Sequence, residues 1–402
     1  MLLRRVFKAF EYRDFRVMWF GACTSSIGTW MQQLAQSWLV LQLSNSPFML
    51  GLDAFLGSAP ILLFSLVGGV IADRKERRTL LLISQFIQMS SAFILALLFA
   101  FHVVHVWHIL ALSFVSGTAQ AFGGPAYQAL IPTLVQQDDL PNAIALNSIQ
   151  FNLARVIGPA LGGIALTQLG ATWCFGLNGI SFVAVIFSLF ILKTRYIPPP
   201  TKESVLASMK QGFSFIRDQS AMGSLILLSF CMTLLAIPLI VFLPVFARDV
   251  FKQGASTYTI LLICSGVGSI CGALVVAGMG KFRHQGRAAL LMLCALGILM
   301  AGFSLSKSLV LSCVMVFFAG TMLIAVFATI SSLVQLLTGD EMRGRVMSVY
   351  NVAFRGGMPI GSLATGALVP RFTAPIVLAF NGVLLTVLGL SFLVTRRRLS
   401  TI

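Results

Sequence analysis

Charge is what this 402-residue sequence has least of. Asp, Glu, Lys and Arg together make up 10% of it, against about 25% in soluble globular chains. A chain so poor in charge has no surface to show to water. Acid is scarcer still, with 12 carboxylates against 28 basic side chains and only 4 histidines. No predicted helix offers a Ser/His/Asp set or a clustered His/Glu set, so a nucleophile with its base or a metal centre has no obvious seat, and no enzyme activity or cofactor is expected. The seven cysteines stand singly in apolar stretches, with no CxxC pair and no Cys/His cluster. They read as small buried hydrophobes and exclude a disulfide framework. The basic opening MLLRRVFKAFEYRDF is not followed by a short apolar core with a cleavage site. A cleaved signal peptide is therefore not expected, and the first apolar run should stay as an anchor.

What the chain does have is apolar length. Hydrophobic residues make up 57%, and the mean hydropathy is +0.93. A spanning helix takes about 20 mostly apolar residues. Twelve such segments can be drawn, near 16–43, 47–72, 79–101, 106–131, 141–168 and 172–193, then near 222–247, 255–280, 287–305, 308–337, 344–368 and 374–395. Residues 194–220 form the longest polar stretch, opened by three prolines that stop the sixth segment. The prediction is an all-α membrane protein with a six-helix unit over 1–193, a cytoplasmic linker over 194–220 carrying one amphipathic turn, and a second six-helix unit over 221–402.

The net charge of +16 would suit an acidic partner, but its distribution points elsewhere. Of the 28 Lys and Arg, only Arg248, Lys252, Lys307 and Arg371 fall in one set of loops, and Arg155 and Arg355 fall inside segments. The other 22 lie on the side of the amino terminus. That asymmetry is the positive-inside rule. It predicts both termini in the cytoplasm, a lipid bilayer as the surroundings and no nucleic-acid partner. The expected place is the cytoplasmic (inner) membrane of a bacterium, with the chain acting as a monomer.

The halves also repeat. Ser148-x6-Arg155-x3-Pro159 recurs as Ser348-x6-Arg355-x3-Pro359, displaced by 200 residues, and an acidic pair precedes each (Asp138-Asp139, Asp340-Glu341). Two related bundles with a solute path between them are the transporter design that such a repeat implies.

The loop motif Gly69-x3-Asp73-Arg74-x2-Arg77-Arg78 resembles the signature of the major facilitator superfamily, and Gly158-Pro159-x2-Gly162-Gly163 is similar to the antiporter motif of its proton-coupled drug exporters. The stretches NSIQFNLARVIGPALGG and SPFMLGLDAF resemble the branch that contains the enterobactin exporter and the macrolide efflux pumps. Three positions depart from the pattern: Glu76 for the usual glycine, Ala145 and Ala154 for upstream glycines, and a second-half copy at Gly278 to Arg287 that lacks the Asp. The resemblance implies two pseudo-symmetric six-helix bundles, a gate motif at Gly69, Asp73, Arg74, Arg77 and Arg78, and export in exchange for protons. It also implies that Arg77 or Arg78 meets an acid such as Asp138 or Asp139, and that the fifth helix packs on the eighth at Gly266, Gly268 and Gly272.

Three ionisable side chains fall within membrane-length segments: Asp53, Arg155 and Arg355. Insertion scales put an intramembrane charge at about 2.5–3.5 kcal/mol, so each is a functional candidate. Asp53 is the proton-coupling candidate. Arg155 and Arg355 either attract electron-rich groups of a substrate or bind carbonyls freed by the following prolines. Ser26, Trp30, Gln33 and Ser37, with Thr29 and Gln36 beside them, give the first helix a polar stripe unsuited to lipid. Helices matching the family's path add Ser113, Ser116, Gln120, Tyr127, Ser229, Thr233, Thr321, Thr329 and Gln335. His102, His105 and His108 surround Trp107 in an outer turn, where an interfacial belt competes with a metal site and is preferred. The reading is a secondary transporter, moving a small amphipathic solute such as a siderophore or drug outward against protons. The alternatives are an uptake symporter or facilitator of the same fold, and a membrane-embedded enzyme or lipid-handling protein.

Overall fold

The computed structural model describes residues 7–72, 75–193, 205–280 and 284–395. Its described residues form long α-helices joined by short turns. Twelve of these have membrane-scale length: α1 (Arg13–Ser44), α2 (Pro47–Ala72), α3 (Arg77–Ala100), α4 (Val106–Leu130), α5 (Leu140–Gln168), α6 (Ala171–Ile191), α7 (Ser220–Val241), α8 (Ala255–Met279), α9 (Gln285–Leu305), α10 (Leu309–Leu337), α11 (Asp340–Phe372) and α12 (Ala374–Thr395). Among the described residues nine are long and apolar enough to cross a membrane by composition alone. The other three are α1, α4 and α11. They are as long, but α1 carries the Ser/Gln stripe, α4 its serines and Gln120, and α11 four arginines, Arg343, Arg345, Arg355 and Arg371. Polarity that disqualifies a helix as a lipid-facing span is what a solute path needs.

The linker is more ordered than one turn. Val205–Asp218 is a helix, and residues 194–204 lie outside the described residues. Gly212 lies against the Arg345 backbone at the start of α11, where a Cβ would come within 2.6 Å of the carbonyl oxygen. The seventh segment also ends earlier than its hydropathy suggests. Pro238 and Pro244 interrupt the ladder, so α7 stops at Val241, one turn covers Leu243–Val245, and Phe246–Val250 winds as a π-helix.

The chain divides into two compact units. One comprises Met1–Ser44 and Leu56–Lys202; the other comprises Asn45–Phe55 and Glu203–Ile402. Within the first, α1 packs on α5 and α6, and α3 on α4 and α6. Within the second, α7 packs on α11, and α9 on α10 and α12. The sequence repeat thus reappears as a repeated packing scheme. Its seams are made by glycine. Gly158 and Gly162 of α5 lie against Ile27–Met31 of α1, and Gly357 and Gly361 of α11 lie against Phe230–Leu234 of α7. Without an apolar solvent gap to close, helices in lipid associate through van der Waals contact of small residues. Large side chains such as Leu63, Phe187 and Val310 point outward, as expected where the surroundings are hydrocarbon.

Candidate functional site

The candidate site grows from α1. Its stripe is partly consumed by bonds to neighbouring helices of the same unit. Gln150 of α5 donates through Nε2 to Ser26 Oγ at 2.7 Å and to the Ala22 carbonyl at 3.2 Å. The Tyr127 hydroxyl of α4 donates to Asn147 Oδ1 at 2.6 Å and to Gln150 Oε1 at 3.4 Å. Gln36 donates to Ser113 Oγ at 2.8 Å, and Asn178 of α6 donates to Gln32 at 2.6 Å. Ser26, Gln36, Ser113 and Tyr127 therefore tie α1, α4 and α5 together, and the Asn178–Gln32 bond adds α6. Gln150, Asn147, Gln32 and Asn178 were missed as partners by sequence reasoning; their signal is an amide at helical spacing opposite the Ser/Gln stripe.

The rest of the stripe stays open. Gln33 is exposed and Ser37 half-buried. Trp30 is half-buried, with the Arg155 guanidinium 5.8 Å from its ring centroid and Phe151 edge-on at 6.0 Å. Gly158, one turn after Arg155, touches the Trp30 Cβ. The α1–α5 seam thus positions both partners: glycine brings the backbones together, and the arginine one turn earlier reaches over the indole. A cation over an aromatic face contributes about 0.5–2 kcal/mol, more as water is withdrawn. Among the described residues neither Arg155 nor Arg355 makes a hydrogen bond or ion pair, so the carbonyl-binding alternative has no counterpart. Arg355 is exposed on α11. Ser148 and Asn152 bond back to their own helix, at 3.0 and 2.9 Å.

Other candidates fall differently. Thr233 fills the space over Gly357 and donates to the carbonyls of Ser229 and Phe230, and Thr329 donates to Ala325. Both are buried, not on an open face, and Thr233 belongs to the α7–α11 packing seam. α10 instead presents Ser331, Ser332 and Gln335 to a cavity of about 360 Å³ that Phe327 and Arg343 also line. Gln120 is exposed and accepts from Gln88 at 3.4 Å. Asp53 is buried on α2 at 7% exposure. Two residues earlier, Gly51 lies 2.5 Å, measured to an ideal Cβ, from the Ser362 carbonyl oxygen of α11.

The gate motif is seen in part. Asp73 and Arg74 lie outside the described residues. Gly69 has open space where a Cβ would stand. Arg77 donates to the Ala129 carbonyl at 2.7 Å, and Arg78 to those of Leu192 and Phe190 at 3.2 and 3.0 Å. The expected Arg–Asp138/Asp139 pairing is thus corrected. The arginines meet the last turns of α4 and α6, where orphan carbonyls and the negative end of the helix dipole attract cations. Asp138 is exposed. Asp139 instead accepts from Lys8 at 2.7 Å and from the Tyr12 hydroxyl at 2.7 Å, while Asn142 accepts from the Ala9 amide at 2.9 Å. The hydrogen bond from Lys8 holds the Asp139 carboxyl below its ordinary range, and the same bond holds Lys8 above its own.

The glycine expectation is corrected too. Gly158 and Gly162 are taken up by α1, and Gly268 and Gly272 by Phe317 and Thr321 of α10, so each set closes a seam inside its own unit. Pro159 and Gly163 are interior to α5, Gly163 accepting from Thr167 at 2.8 Å. His105 and His108 cap α4, the His105 amide donating to His108 Nδ1 at 2.9 Å. Among the described residues no group of three His, Cys, Asp or Glu gathers.

Comparison with known proteins agrees with this architecture. Residues 6–401 match the family described as transmembrane secretion effector. The enterobactin exporter EntS of Salmonella typhimurium is 25% identical over 395 residues, covering 94% of this chain and 91% of that protein. EntS of Shigella boydii is 26% identical over 398 residues at the same coverage. Among solved structures, a point mutant of the nucleoside transporter NupG superposes with a TM-score of 0.76 at 14% identity, over 94% of this chain and 98% of that one. A bacterial homologue of the human lysosomal transporter Spinster gives 0.75 at 14% identity, over 97% of each. A multi-pass helical fold, a polar face on α1 and a match over nearly its whole length converge on one statement: the chain belongs to the transmembrane secretion effector family of major facilitator transporters.

Proposed function

We propose that this transporter is a proton-coupled exporter of a small amphipathic solute, of the siderophore or drug class. The observation that carries the proposal is the open part of α1, where Trp30 bears the Arg155 guanidinium beside exposed Gln33. An aromatic plane, a cation and an amide suit a solute that is flat and apolar on one side and rich in oxygen on another. Similarity over nearly full length to proteins named enterobactin exporters supports outward transport. Asp53 carries the proton: buried among the helices, its carboxyl is neutralised by a proton from outside and releases it inside. The Arg-rich motif, with Asp73 and Arg74, acts as a latch on the inner side. The units over 1–193 and 221–402, joined by 194–220, expose the solute site to the two sides in turn. Both termini lie in the cytoplasm and a monomer suffices.

The test uses purified protein in liposomes under an imposed pH gradient, with a catecholate siderophore and a macrolide as solutes. The expected outcome is gradient-driven movement of one of them, abolished in Asp53→Asn while the variant elutes as folded protein. Undiminished gradient-driven transport by Asp53→Asn removes Asp53 from the mechanism. Movement of solute with the proton, not against it, converts the reading to uptake.

A further inference from the structure

All seven cysteines read from the sequence as inert packing, but the structure sets two of them apart. Gly268 of α8 lies against Phe317 of α10, where an added Cβ would stand 2.8 Å from the Phe317 carbonyl carbon and 3.1 Å from its Cα. Gly272 lies against Thr321 in the same way, 3.0 Å from the Thr321 Cα. Both pairs are separated by 49 residues, so the two helices run parallel and in register with main chain touching main chain. One turn before Gly268 and one turn before Phe317 stand Cys264 and Cys313, separated by the same 49 residues. They are half-buried free thiols. The two cysteine side chains interact with each other across this seam.

The geometry points to a dithiol at Cys264 and Cys313 that closes to a disulfide when met by a small apolar disulfide oxidant. A disulfide needs about 4.4–6.8 Å between Cα atoms, and a seam in which main chain touches main chain one turn away favours that approach. One cysteine thiolate attacks the oxidant, giving a mixed disulfide and expelling one thiol. The partner cysteine then attacks the protein sulfur and expels the second. Two S–H bonds and one S–S bond of the oxidant are exchanged for one protein S–S bond and two released thiols, so the protein is oxidised by two electrons and the reagent reduced by two. The product ties α8 to α10.

Detergent-solubilised full-length protein treated with 4,4′-dipyridyl disulfide reads this directly. A lone cysteine releases one thiopyridone and keeps a pyridylthio adduct. The pair releases two and keeps none. The expected result is a peptide cross-link between Cys264 and Cys313, lighter by two hydrogen atoms and reversed by dithiothreitol, with no adduct on either residue. In Cys264→Ser, Cys313 is expected to retain the adduct, and Cys313→Ser should leave it on Cys264. Retained adducts on both residues of the native chain overturn the proposal, and so does finding both as free thiols while the single variants react.

Discussion

Replacing Gly158 by alanine tests whether the α1–α5 seam holds the site together. Helix propensity alone favours the change by about 1 kcal/mol. Against this, the new Cβ would meet the Trp30 Cβ and come within 2.8 Å of the Ile27 carbonyl oxygen and 3.2 Å of the Met31 amide nitrogen. Two of those three atoms are main chain and cannot rotate away. Overpacking of this kind costs about 1–3 kcal/mol; where backbone must move, we take the upper part of that range. The net effect is a loss of roughly 1–2 kcal/mol. At about 2–4 °C per kcal/mol for a unit of this size, the melting temperature falls by about 2–8 °C. Gly176→Ala is the control, because nothing lies within 4 Å of its added Cβ; propensity then acts alone and the protein is unchanged or slightly more stable. The assay heats detergent-solubilised protein and recovers the folded fraction by size exclusion. Under the proposed function, transport should fall with Gly158→Ala as well, because the α1–α5 seam sets the Trp30 ring beside Arg155. Gly158→Ala as stable as the parent, or Gly176→Ala the more damaging of the two, would refute the steric argument.

The cation on Trp30 gives a graded series. Trp30→Phe should retain part of the transport and Trp30→Leu less, the latter weaker by about 2- to 30-fold for a contact of about 0.5–2 kcal/mol; equal activity of the two removes the ring from the site. Gln150→Leu leaves Ser26 and Tyr127 without their shared partner and should lower stability by about 0.5–2 kcal/mol, read as a melting shift. The Lys8–Asp139 clip has a defined pH window. Asp139 is lowered from 3.8, so its contribution is complete above that value and lost as pH falls through its lower native one; Lys8 is raised from 10.5, so its contribution is complete below 10.5 and lost as pH rises through its higher native one. Hydrogen exchange in residues 8–12 should therefore be flat in its protection from about pH 5 to 9, and Asp139→Asn should abolish that protection at neutral pH. Protection that varies across this interval, or survives the substitution, would count against the clip.

Nine of the twelve helices were legible because hydrocarbon demands length and apolar composition, and both are written locally; α1, α4 and α11 were legible by length despite their polar residues. Their ends were less so: Pro238 and Pro244 break a run that hydropathy alone extends to 247. The polar stripe of α1 was visible from spacing, but the division of its members was not. Whether Ser26 binds a neighbour or faces a solute depends on Gln150, more than a hundred residues away. Arg77 and Arg78 show the same limit. A sequence advertises their charge, and acids are the obvious partners, yet the carbonyls at the ends of α4 and α6 carry no sequence signature. Thr233 was misread for a related reason, since only the approach of Gly357 makes a seam of its position.

The glycine seams bear on how this protein tolerates change. Where main chain rests on main chain there is no rotamer to adjust, so positions 158, 162, 268, 272, 357 and 361 admit no gradual route to a larger residue. The outward leucines and phenylalanines, bathed by mobile acyl chains, can be exchanged freely. A library built to alter cargo should accordingly spare the glycines, ignore the periphery, and concentrate its diversity on Trp30, Gln33, Ser37 and Arg155.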